Sequence, residues 1–157
     1  MKITVAFIAI MATSANFPAL AGGTTDPLCK PLRAFIASVK PDESKELIFR
    51  TVWGSNFKGE TQPALFAKSC DHGGYEPAAT ACKALMEQGT VEFSANNAIR
   101  VLSCLSPKTR FGSGVDLEHG AFSLTYGTPE RGATVTIGYG EDSTMGAMAL
   151  RVAADGY

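Results

Sequence analysis

The chain has 157 residues, 14 of them basic and 15 acidic, for a net charge of −1. Neither sign forms a run, so there is no footprint of clustered Lys and Arg for nucleic acid, and attraction to anionic membrane surfaces lacks its usual drive. The length suits one domain with a real core.

Met1 and Lys2 precede the apolar run ITVAFIAIMA, and small residues follow up to Ala21. This is the pattern of an export signal cleaved after Ala21. Its apolar core of about ten residues is well short of the ~20 that cross a bilayer. The residues before Cys29, Asp26-Pro27-Leu28, lack the small side chains of a lipoprotein cleavage site. Residues 1–21 are therefore expected to leave. Residues 22–157 are expected to form a single α+β domain, periplasmic or secreted, with no stable membrane insertion.

In chain order, Pro31 suits a first helical turn, and Leu32, Phe35, Ile36 and Val39 share one helical face until Pro41. Residues 46–53 are rich in β-branched and aromatic side chains and predict a strand covered on both faces, with Trp53 in the core. A polar turn over 54–62 follows, then a short helix over 63–70 ended by Gly73 and Gly74.

Pro77 and Gly89 bracket a helix whose apolar stripe is Ala78, Ala81, Cys82, Leu85 and Met86. Residues 90–93 predict a brief strand. Ser94 then caps a helix over 95–105 with the stripe Ala98, Ile99, Leu102 and Leu105. Beyond a short strand at 115–117, three alternating strands are expected at 121–126, 133–139 and 147–153. Their apolar sides form an antiparallel meander on which three to four short helices pack.

All four cysteines, Cys29, Cys70, Cys82 and Cys104, follow the export signal, and their even number predicts two disulfides in an oxidising compartment. Three pairings exist on paper. Antiparallel packing of the helices at 77–88 and 95–105 favours Cys82 with Cys104 and Cys29 with Cys70. Zinc-finger spacing is missing, so no metal or cofactor is expected.

The outer face of the meander carries small side chains: Ser123, Thr125, Thr134, Thr136, Gly138, Ala147 and Ala149, with Arg151 among them. Such a face can accept a protein partner at little entropic cost. Arg131, at the tip of a hairpin, could insert into a partner's cleft. No catalytic residue is assigned. His72 beside Asp71, and His119 beside Glu118, read first as turn residues, Asp116 and Glu118 as neighbours on one strand face, and Ser55 lacks the second glycine of a nucleophile elbow.

The expected function is that of a small exported, non-catalytic protein that binds a protein partner, in the manner of an inhibitor or immunity protein. Two alternatives stand beside it. One is an exported hydrolase in which His72, Asp71 and Glu118 or His119 converge. The other is a carrier of a small apolar ligand held between helices and sheet by Phe35, Phe49 and Leu102.

Overall fold

The computed structural model describes residues 25–112 and 116–157; the segment expected to be an export signal, residues 1–21, and Val115 lie outside them. Among the described residues three helices, α1 (Cys29–Ser38), α2 (Glu76–Gln88) and α3 (Ala95–Leu105), accompany five strands: β1 (Ser44–Trp53), β2 (Phe66–Asp71), β3 (Gly120–Gly127), β4 (Gly132–Asp142) and β5 (Ala147–Gly156). The strands make one antiparallel sheet in the order β2-β1-β5-β4-β3. The meander β3-β4-β5 is thus extended by a second hairpin, β1-β2, which docks through β1 on β5.

Alternation in the strands decides which face the helices cover. On the inner face Leu47, Phe49, Val135, Ile137, Leu150 and Val152 are buried, and they join Leu32, Phe35, Ile36, Leu85, Val101 and Leu102 from the helices in one core. Each such side chain contributes about 1.5–3 kcal/mol by leaving water. Helix α1 packs against both α2 and α3. Strand β1 is shielded on its other side too, where Ile48 and Val52 are buried.

Several expectations need correction. Residues 66–71 form an edge strand and not a helix. Antiparallel pairing with β1, from Ile48 with Asp71 to Trp53 with Phe66, outweighs weak local propensity. The turn that ends it, His72-Gly73-Gly74-Tyr75, closes with a bond from the Tyr75 amide to the His72 carbonyl at 2.9 Å. Gly73 and Gly74 both take positive φ there, 56° and 74°, a geometry glycine adopts without strain.

Residues 90–93 are a turn rather than a strand. The buried amide of Asn97 occupies the backbone of Thr90, accepting from its N–H at 2.9 Å and donating to its carbonyl at 2.7 Å. Asp116 and Leu117 are outside any strand. Ser94 precedes α3 but does not cap it through its side chain; its hydroxyl bonds the buried Tyr139 phenol at 2.7 Å. Met86 leaves the α2 stripe and is 39% exposed.

The disulfides are Cys29–Cys104 and Cys70–Cys82, which overturns the expected pairing. The expectation placed α3 against α2, but α1 packs against both. The first turn of α1 therefore meets the last turn of α3. Cys82 faces β2, and Cys70 reaches it from the strand. Two more contacts fix the same corner: Arg33 donates to the Cys104 carbonyl, and Arg100 grips both carboxylate oxygens of Asp26 at 2.8 and 2.9 Å.

Candidate protein-binding surfaces

The β3–β4 register sets Ser123 opposite Thr136 and Thr125 opposite Thr134. All four are exposed, giving a compact square of hydroxyls on the outer face. Arg151 stands nearby on β5, opposite Gly138, and is engaged by Glu46 at 3.1 Å.

The rest of the small-residue face is occupied. Arg50 on β1 donates to Asp142 on β4 at 2.7 Å, which requires its side chain to cross β5. Its path is the strip where Ala149 lies opposite both Arg50 and Gly140. Ala147, expected on an open face, is only 4% exposed. The Thr144 hydroxyl and the Arg50 guanidinium both donate to Asp142 and hold its carboxyl down to about 2. The exposed Arg131 is in the hairpin tip, where its backbone exchanges bonds with Thr128. It also lines a cleft of about 310 Å³ with Ile36, Val39 and Tyr126.

A second surface was hidden from sequence reasoning. Trp53, assigned to the core, is 59% exposed, with Phe66 at 53% and Phe93 at 65%. Alternation gives Trp53 the inner side, but β1 ends there, beyond the cover of the helices. The three rings line one shallow cleft of about 320 Å³, with Val91 on its wall and Lys68 and Glu92 on its rim. Leu65, 82% exposed, adjoins Phe66. Phe93 also borders a neighbouring cleft of about 180 Å³, where Glu92, Asp116 and Glu118 gather beside Tyr139. Burial pushes the Tyr139 phenol above its ordinary range. The surface is therefore aromatic at its centre and acidic along one side.

The histidines stand apart. His72 follows β2 beside the start of β1, in a cleft with Ser44, Lys45, Glu46 and Tyr75. His119 precedes β3 and lies against Gly140, near the end of β4. Since β1 starts where β4 starts, these positions are at opposite ends of the sheet, and His72 with Asp71 does not converge on His119 or Glu118. The buried Nδ1 of His72 has no hydrogen-bond partner among the described residues. Phe35, Phe49 and Leu102 belong to the packed core. Among the described residues no group of three or more His, Cys, Asp or Glu is placed to hold a metal ion, and no helix is long and apolar enough to cross a membrane.

These features define a doubly disulfide-bonded α+β domain with an antiparallel sheet, of a kind suited to an oxidising compartment. Comparison with protein-family models, curated proteins and solved structures gives no match.

Proposed function

We propose that the chain is a small exported binding protein, periplasmic or secreted, that acts without catalysis on a protein partner in the manner of an inhibitor or immunity protein. The observation that carries this reading is the cluster of Trp53, Phe66 and Phe93 around one open cleft. Exposed aromatic groups gathered at one place are costly in water and are the usual anchors of protein interfaces. The acidic flank of Glu92, Asp116 and Glu118 specifies the partner further: an apolar side chain seated between the rings, with Lys or Arg beside it. The two disulfides, Cys29–Cys104 and Cys70–Cys82, support an oxidising destination, and the cleft's shallow form favours a protein surface over a small molecule.

The test is comparative capture from envelope and culture fractions, using the chain without residues 1–21. A partner retained by the wild type, released by raised salt, and lost with Trp53→Ala or Phe93→Ala supports the reading. Equal capture by those variants, with loss on Thr134→Arg plus Thr136→Arg, would overturn it and move the interface to the outer hydroxyl square. Capture of nothing by any form would also count against it.

A further inference from the structure

The two edges of the sheet are treated differently. Strand β2 is six residues long, carries Lys68, and is bonded to α2 through Cys70–Cys82. A short strand, a lysine and a covering element are how proteins protect an edge. Strand β3, GAFSLTYG, has none of these: eight residues, no charge and no proline. It pairs with β4 in unbroken register, so no bulge turns it aside.

The ladder fixes which backbone groups of β3 are unused. Thr128 and Arg131 exchange bonds across the hairpin tip. Alternation then directs Tyr126, Leu124, Phe122 and Gly120 toward β4, and Ala121, Ser123, Thr125 and Gly127 outward. Among the described residues, no backbone group bonds to that outward row. The strand is also chemically symmetric about Leu124: Ser123 mirrors Thr125, Phe122 mirrors Tyr126, and Ala121 mirrors Gly127.

We propose that β3 pairs antiparallel with β3 of a second copy of this chain, about a two-fold axis through Leu124. In that register Ser123 meets Thr125 of the second copy, Phe122 meets Tyr126, and Leu124 meets itself. Like classes face each other at every position, the pairing that stabilises sheets, and such an interface closes on itself as a dimer. The outward row supplies roughly eight backbone hydrogen bonds. The half-buried rings of Phe122 and Tyr126 gain cover from the second copy. No charge lies within the strand; Glu118 and the pair Glu130 and Arg131 lie beyond its ends. The result is a continuous sheet with Trp53 and Phe66 toward its two far edges; of the proposed partner surface, the flank residues Asp116 and Glu118, just before β3, approach the dimer seam.

The experiment is sedimentation velocity on the chain without residues 1–21, from low micromolar to near-millimolar concentration. The wild type is expected to dimerise. Ser123→Pro removes no bond to β4, because that N–H points outward, and should weaken the dimer about tenfold or more. The double variant S123K/T125K sets lysine against lysine twice and should do the same, whereas S123K/T125E sets lysine against glutamate and should recover the dimer. Slowed amide exchange at Ser123 and Thr125 that depends on concentration is the accompanying signature. A wild type that stays monomeric throughout overturns the proposal. So does a dimer indifferent to S123P and S123K/T125K, and failure of S123K/T125E to recover it overturns the two-fold register. None of these results depends on whether Trp53 or Phe93 binds a partner.

Discussion

Arg50 and Asp142 meet at 2.7 Å across a strand to which neither belongs. Their contact ties β1 to the end of β4 over β5, and it is strengthened by the Thr144 hydroxyl, which donates to the other carboxylate oxygen. The arrangement has a pH signature. Asp142 is held at about 2, below the ~3.9 of an unfolded aspartate. A depressed carboxyl contributes stability above its unfolded value and loses it as pH falls through its folded value. Asp26, lowered mainly by the hydrogen bonds of Arg100, acts in the same direction. Urea midpoints should therefore be steady above about pH 5 and fall between about pH 4 and 2. Asp142→Asn should lower the neutral-pH midpoint and flatten part of that fall. An unchanged acid slope in this variant would mean that the Arg50 contact adds nothing to folding.

Non-reducing peptide mapping is expected to recover Cys29 joined to Cys104 and Cys70 joined to Cys82. The loops they close differ, with separations of 75 and 12 residues. Chain-entropy arguments give roughly 4.5 kcal/mol for the longer and roughly 3 kcal/mol for the shorter. Paired alanine variants compared by denaturant unfolding should show the larger loss for Cys29 and Cys104. The reverse order would point to compensating native-state effects at Cys70 and Cys82.

Trp53 is the single tryptophan, and its exposure makes it a reporter. Emission of the folded chain should be red-shifted and readily quenched by acrylamide, and it should move to the blue on partner binding. Trp53→Ala should change stability by no more than ~1 kcal/mol, whereas Phe49→Ala, at a 1%-exposed position, should cost ~3–5 kcal/mol. A buried emission spectrum would contradict the open cleft.

Gly89 ends α2 with its Cα against the Phe49 ring. A methyl group there would collide with the Leu85 carbonyl and come within 2.6 Å of Phe49. Gly89→Ala should therefore destabilise by roughly 1–3 kcal/mol through overpacking, although its φ of −65° is ordinary. Gly74→Ala meets open space but has positive φ, so its cost should come from backbone strain alone. Melting curves of the two variants, each with Phe49→Leu, separate the causes, since only the Gly89 variant should be relieved, and only of its contact with the Phe49 ring, the Leu85 carbonyl remaining in place.

Local punctuation made much of the fold legible. Pro77 and Gly89 bracket α2 to within a residue, the apolar spacing of Ala98, Leu102 and Leu105 marks α3, and alternation of Val135, Ile137, Leu150 and Val152 marks the meander's inner face. What stayed hidden depends on distant partners. Residues 66–71 become a strand because β1 is beside them. Cys104 finds Cys29 because α1 packs against both other helices. The aromatic surface was missed for a related reason: Trp53 has the composition and parity of a core residue, and only the end of the sheet leaves it in water. Phe93, in a segment rich in strand formers, is held out by Asn97 gripping Thr90.

The linkage between the first and last turns of the helical layer bears on biogenesis. Synthesis proceeds from the amino end, so the Cys29 thiol emerges long before Cys104 exists, and it meets Cys70 and Cys82 first. An oxidant acting quickly on the nascent chain would join the wrong sulfurs. On the proposed export route, faithful pairing follows if Cys70 and Cys82 close first or if a thiol isomerase reshuffles early bonds, and in the second case cells lacking that enzyme should accumulate mispaired protein.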